Sequence, residues 1–171
     1  MATERNEDYL EAIEHIVRER GYARVKDVSE TLNVGISSVT EMLQKMAGAG
    51  YVNYEKYGGV TLTKKGGGIA RETRKKHLML RELLIILGID EKTADEDACR
   101  MEHILNRETL DRMTKFVGFV QKSEKSPRWL DHFNYYYETG KYVECTPRNS
   151  KNCPVHGKGK QVSAVKAMPS V

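Results

Sequence analysis

The chain has 171 residues, 39 % of them apolar and 30 % charged, with a net charge of +4. That length suits one domain or two small ones, and the apolar share supports a packed core beneath an ionic surface. No apolar run reaches the roughly eighteen residues of a membrane span, and the acidic start MATERNEDYLEAIEH is no secretory signal, which leaves the cytoplasm.

In chain order, residues 7–19 predict an amphipathic helix, with Tyr9, Leu10, Ile13, Ile16 and Val17 at helical spacing and Gly21 at its end. A short second helix follows from Val25 to Leu32, with Val25, Val28 and Leu32 on one face. After NVGISS, a third runs from Ser37, a candidate N-cap, to Ala47, burying Val39, Met42, Leu43 and Met46. Helix, short turn with Gly35, helix is the helix-turn-helix pattern. GYVNYEKYGGVTLT then reads as two short strands joined at Gly58-Gly59. A helix-turn-helix closed by a hairpin is a winged helix, and a DNA-binding role follows.

A long helix is expected from Lys64 to Leu87, with Ile69, Thr73, His77, Leu80, Leu84 and Leu87 on one stripe. Gly66-Gly67-Gly68 works against its first turn, since each glycine costs about 1 kcal/mol relative to alanine. Further helices are expected over Ala94–Leu105, from Asn106 as cap through Val120, and around Trp129–Tyr136; residues beyond Gly157 read as disordered. The expected fold is mainly α: an N-terminal winged helix-turn-helix with a β-hairpin wing, then an all-helical dimerisation domain. The division falls inside the long helix, near residues 70–76. This gives 1–72 for DNA binding, 73–140 for metal binding and dimerisation, and 141–171 as a flexible tail.

Charge is unevenly spread. Basic residues recur from Arg18 to Lys76, whereas Gly88–Glu102 holds Asp90, Glu91, Asp95, Glu96, Asp97 and Glu102. One half is suited to meet an anion and the other to hold cations. Within the acidic half, DACRMEHIL sets Cys99, Glu102 and His103 at i, i+3 and i+4, on one helical face. Asp8 and Glu11 share a face of the first helix, and His77 sits among leucines. Thiolate, carboxylate and imidazole from several helices suit a first-row transition metal. Each residue also has an ordinary reading: His77 as a core histidine, Cys99 as a small hydrophobe, Glu102-His103 as solvated surface, Asp8 and Glu11 as helix-dipole partners. Spacing alone does not choose between them.

Six stretches carry a resemblance: EDYLEAI, GYARVKDVSETLNV, SSVTEMLQKM, YVNYEKYGGVTLTKKG, the RKKH ending at His77, and ACRMEH. Through them the chain, from about Glu7 to Val120, resembles the diphtheria-toxin-repressor family of metal-dependent transcriptional repressors, and in it the manganese-transport-regulator branch. The resemblance implies a homodimer that binds an operator, expected to be palindromic, when metal fixes its geometry. It implies metal ligands at Asp8, Glu11, His77, Cys99, Glu102 and His103. Asp8 matches the manganese branch, whereas Cys99 matches the iron branch, where manganese relatives have glutamate. Where the family has a glutamate four residues after the histidine, this chain has Arg81, whose guanidinium argues against a second ion.

Mn2+ or Fe2+ is the expected cofactor, with Co2+, Zn2+ or Cd2+ as surrogates. Base contacts are expected from Ser37, Ser38, Thr40, Glu41 and Gln44, and phosphate contacts from Arg24, Lys26, Lys56 and Lys64. No small-molecule substrate is expected. The rival readings are a metal-independent winged-helix regulator with a vestigial cluster and a metalloenzyme; no separate general base or oxyanion donor accompanies the cluster. In the tail, Cys145, Cys153 and His156 form a Cys-x7-Cys-x2-His pattern that either holds zinc with a donor such as His132 or is simply reduced and mobile.

Overall fold

A computed structural model describes residues 3–55, 58–122, 127–144 and 153–156. Its elements run α1 (Glu4–Arg20), α2 (Val25–Leu32), α3 (Ile36–Gly48), β1 (Val52–Glu55), β2 (Gly59–Leu62), α4 (Lys64–Ile86), α5 (Glu91–Ile104), α6 (Arg107–Gln121) and α7 (Arg128–Thr139). Among them, no helix is long and apolar enough to cross a membrane.

The first buried cluster joins Tyr9, Leu10, Ile13 and Ile16 of α1 to Val28 of α2, Val39, Leu43 and Met46 of α3, and Val52 and Val60 of the hairpin. β1 and β2 pair antiparallel, with Val52 opposite Leu62 and Glu55 opposite Gly59. Gly58 lies between the strands, and Gly59 belongs to β2 rather than to the turn. Gly59 adopts φ +98°, and a Cβ there would lie 3.0 Å from the Ala23 carbonyl and against the Tyr22 ring. That close approach lets Ala23 and Val60 exchange backbone hydrogen bonds of 2.9 and 2.8 Å, pinning the wing beside the start of α2.

Several helix starts fall earlier than expected: α1 opens at Glu4 rather than residue 7, and α3 and α5 also move. α3 begins at Ile36 with Gly35 as N-cap, so Ser37 lies inside the first turn and is not the cap. α5 begins at Glu91, three residues before the expected Ala94. There Asp90 Oδ1 accepts from the backbone N–H groups of Lys92 and Thr93, satisfying donors that a helix start leaves open. Asn106 is at the N-cap of α6, as expected, but its side chain makes no capping hydrogen bond.

The glycine run does not delay α4. Thr63 Oγ1 accepts from Gly66 N–H at 3.1 Å and donates to the carbonyls of Gly50 and Tyr51, tying the helix start to the end of α3 and the first strand. Gly66 is buried there because a Cβ would run into the Tyr51 carbonyl oxygen. α4 then continues from the first core, to which Ala70 belongs, into a second cluster of Leu83, Ile86, Val117, Val120 and Leu130. It packs on α1 along one stretch and on α5 and α6 along another. Exposed apolar side chains remain on the helices of this second half, with Ile104 73 %, Phe119 69 % and Tyr137 83 % exposed.

Gly66→Ala is expected to destabilise the chain by about 1–3 kcal/mol through overpacking against backbone. Gly68→Ala, with open space around it, is expected to stabilise by about 1 kcal/mol. Urea unfolding of the two variants checks both signs.

Candidate metal centre and DNA-binding surface

Three helices bring ionisable groups together. α1 contributes Glu7, Asp8 and Glu11, α4 contributes His77 and Arg81, and α5 contributes Asp95, Cys99, Glu102 and His103. At the centre is Glu102, only 2 % exposed. Its Oε2 lies 3.3 Å from His77 Nδ1 and its Oε1 3.4 Å from His103 Nε2, without hydrogen-bond alignment at either oxygen. His103 Nε2 also lies 3.0 Å from Asp8 Oδ1 and is likewise buried with no hydrogen-bond partner among the described residues.

The outer nitrogen of each imidazole is engaged. His77 Nε2 is 3.1 Å from Asp95 Oδ1, and His103 Nδ1 is 3.3 Å from Glu7 Oε2. A carboxylate on one ring nitrogen fixes the tautomer and leaves the other nitrogen to face inward, the usual support for a metal-ligating histidine. Glu7 and Asp95 are absent from the expected site. Asp95 is four residues before Cys99 and seven before Glu102, on the same helical face. From the sequence, Asp95 is one of six acids from Gly88 to Glu102, with nothing in its spacing to single it out.

Electrostatics report the crowding of negative charge. Burial raises the Asp8 carboxyl above its ordinary range against the pull of His103, and Glu4 and Glu102 add to the rise. Burial, then the Glu102 charge, raises Glu11. Cys99 is exposed at the rim, yet partial burial followed by the charges of Glu102, Asp8, Glu11 and Asp95 pushes its thiol up. His77 is raised from 6.5 to about 9, chiefly by Glu102 and further by Asp95, against the opposing effect of burial. An open cleft of about 520 Å³ leads to the group past Asp8, Glu11, Arg74, Cys99, Arg100 and His103.

The structure thus brings Asp8, His77, Glu102 and His103 into a chain of contacts, with Glu11 and Cys99 at its edge. These six do not close into one coordination shell. Buried donor atoms without partners, two imidazoles pre-oriented by carboxylates, and acids raised by one another together fit a divalent cation. Beside them, Arg81 Nη2 donates to Glu91 at 3.2 Å and its Nε lies 3.4 Å from Asp95 Oδ1. The guanidinium fills the ground next to His77.

On the other half, Ser37, Ser38 and Gln44 are exposed along the outer face of α3. Glu41 is exposed but bound to Lys45 Nζ at 2.9 Å, while Thr40 is half-buried and donates to the Ile36 carbonyl. Arg24 and Lys26 are exposed beside the wing, where Arg24 donates to the Tyr22 hydroxyl at 2.9 Å and Lys26 approaches Glu30 at 3.6 Å. Lys64 is exposed at the start of α4. Lys56 lies outside the described residues.

The N-terminal DNA-binding domain of the iron-dependent repressor family matches residues 1–60, and that family's metal-binding and dimerisation domain matches residues 63–130. The chain belongs to the iron-dependent repressor family. The HTH-type transcriptional regulator MntR of Bacillus pumilus is 41 % identical over 125 residues, covering 73 % of this chain and 87 % of that protein. The crystal structure of T. acidophilum IdeR superposes with a TM-score of 0.60 at 31 % identity, covering 66 % of this chain and 53 % of that one. A manganese-dependent transcriptional repressor in complex with manganese gives 0.60 at 26 %, covering 71 % and 55 %. This repressor spans about half the length of those two solved chains. As a family member it is a metal-responsive, DNA-binding transcriptional regulator and not an enzyme. It uses a divalent metal, and it pairs with a second copy through the helical domain.

In the metal-free chain, charged His77 contributes stability that is full below about 6.5 and is lost as pH rises through about 9. Glu102→Gln is expected to return the His77 titration toward 6.5, read by NMR of the imidazole. Metal taken up at neutral pH is expected to release a proton from His77. Calorimetry in two buffers of unlike ionisation enthalpy checks it.

Proposed function

We propose that this repressor senses Mn2+ or Fe2+ through Asp8, Glu11, His77, Cys99, Glu102 and His103, and so controls genes for uptake of that metal. The observation carrying the proposal is the buried, poorly aligned group of Glu102 Oε1, Glu102 Oε2 and His103 Nε2, with Asp8 of another helix 3.0 Å from the imidazole nitrogen. The oxygen-rich donor set suits Mn2+ and Fe2+, and the Cys99 thiolate tilts the balance toward Fe2+. Arg81 beside His77 supports a single ion.

α1 couples the two halves. One face carries Tyr9, Leu10 and Ile13 of the winged-helix core, and the other carries Asp8 and Glu11. Without a cation, Asp8, Glu11 and Glu102 repel one another across the boundary between α1 and α5. When bound, a divalent ion supplies the positive charge that these carboxylates lack. Asp8 and Glu11 then hold α1, and the winged helix built on it, against α4 and α5. In a two-fold dimer this sets the two α3 helices at a fixed spacing, and successive major grooves of a palindromic operator are about 34 Å apart. Affinity rises because orienting the heads no longer has to be done on DNA. Metal and operator strengthen each other's binding by the same factor.

Base reading falls to Ser37, Ser38, Glu41 and Gln44, and phosphate contact to Arg24, Lys26, Lys56 and Lys64. Thr40 is a weaker candidate, because its hydroxyl is spent on the helix backbone. We take 1–72 as the DNA-binding unit, 73–140 as the metal-binding and dimerisation unit, and 141–171 as the tail. Membership of Ala70 in one buried cluster and Leu83 in the other supports the division.

Anisotropy titration of a labelled operator, with excess Mn2+ or Fe2+ against chelator, is expected to show a gain of about 5–150-fold. His103→Ala is expected to remove the gain while leaving the weak, salt-sensitive binding. Equal affinities in both conditions favour a metal-independent regulator instead. Gln44→Ala is expected to cost about 1–3 kcal/mol of operator affinity and to relax sequence preference at one position.

A further inference from the structure

Among the described residues, one group of three donors has its ligand atoms all within 4.8 Å of one another, and it lies outside the centre described above. His132 comes from α7, and Cys153 and His156 come from the short turn at 153–156. Cys153 Sγ is 3.5 Å from His132 Nε2 and 3.8 Å from His156 Nδ1. The two rings meet edge-on, with centroids 4.9 Å apart at 63°, so they reach the sulfur from different directions. Cys153 is 5 % exposed and Val155 4 %. On the far side, His156 Nε2 lies 3.0 Å from Asp131 Oδ2.

These separations fit a shared ion better than a hydrogen-bonded thiol. Zinc bonds of about 2.3 Å to sulfur and 2.0–2.1 Å to nitrogen, at tetrahedral angles, set sulfur and nitrogen about 3.6 Å apart. Distances of 3.5 and 3.8 Å bracket that value. A thiol has a single proton, whereas this sulfur faces two imidazole nitrogens at once. Asp131 on the outer nitrogen of His156 repeats the carboxylate-histidine support that metal sites use. Burial pushes the Cys153 thiol up, but the His156 and Val155 backbone amides and the two imidazoles outweigh it and bring it down to about 6.

We propose that His132, Cys153 and His156 form a second metal site, selective for Zn2+, that clips the 153–156 turn to α7. One thiolate with two imidazoles favours Zn2+ over Mn2+, the reverse of the oxygen-rich centre. The fourth tetrahedral position is open to water or another donor. Cys145, grouped with these residues in the sequence, lies outside the described residues. α7 is anchored in the second core through Leu130, so the clip ties residues 153–156 to the helical domain. The proposal stands independently of the metal-sensing centre.

The full chain, stripped with chelator, reloaded with Zn2+ alone and desalted, is expected to retain one more zinc per chain than Cys153→Ser or His156→Ala. Both variants are expected to keep their Mn2+ or Fe2+ response on the operator. Asp131→Asn is expected to weaken this zinc about 10–100-fold. X-ray absorption of zinc-loaded Cys99→Ser, whose clip residues are intact, is expected to show sulfur at about 2.3 Å from zinc. Adding Cys153→Ser is expected to abolish that signal. Unchanged zinc content in the 153 and 156 variants, no zinc-sulfur scattering in Cys99→Ser, or scattering that survives Cys153→Ser overturns the proposal.

Discussion

Glu102 is a carboxylate taken almost wholly out of water and set between two imidazoles, 3.3 Å from His77 and 3.4 Å from His103. Burying an ionised carboxylate costs several kcal/mol unless nearby positive charge compensates. In the metal-free chain the compensation comes from His77, whose proton is held to about pH 9. That arrangement is serviceable but unfinished, because Asp8 and Glu11 bring further carboxylates that burial and the Glu102 charge raise above their ordinary range. The organisation of the three helices around Glu102 follows from this deficit. Carboxylates orient the histidines from outside, and acidic side chains approach from α1.

The same deficit explains how a small ion reaches the DNA-binding surface. α1 belongs to two environments, its apolar face to the winged-helix core and its acidic face to the centre. On the proposed mechanism, a change in charge balance at the centre acts on the attachment of the winged helix and needs no rearrangement inside it. α4 runs from Lys64 through both buried clusters, and in the proposed mechanism it is the reference against which α1 is held.

Much of the fold is readable from apolar spacing. α2 begins and ends where Val25, Val28 and Leu32 place it, and the stripes of α1 and α3 fill the first core except for Val17 and Met42, which are only partly buried against it. The misplacements come from contacts distant in sequence or from backbone groups that periodicity does not register. Gly66 opens a helix because the Tyr51 carbonyl occupies the space of its missing Cβ. Ser37 yields the cap to Gly35, and Asp90 extends α5 backward by a turn. Asp95 is one acid among six in that stretch, and only its contact with His77, 18 residues away, marks it out. Glu7 was hidden because its partner, His103, is 96 residues away. Spacing and residue type offer Cys99, Glu102 and His103 with Asp8, Glu11 and His77 as candidate donors, each with an ordinary reading beside it, and only the family resemblance favours the six together.

The two donor sets in the chain differ in softness. Carboxylates dominate around Glu102, whereas a single sulfur with two imidazoles gathers beside α7, and the first lies across the joint between the two halves. The central claim is that positive charge supplied at Glu102 tightens the hold of α4 and α5 on α1. Amide hydrogen exchange of the full dimer, followed by mass spectrometry with Mn2+ and with chelator, reads that hold directly. Slower exchange along α1 with Mn2+, and no such slowing in Glu102→Gln, is the expected result. Exchange along α1 that is the same with and without metal contradicts it.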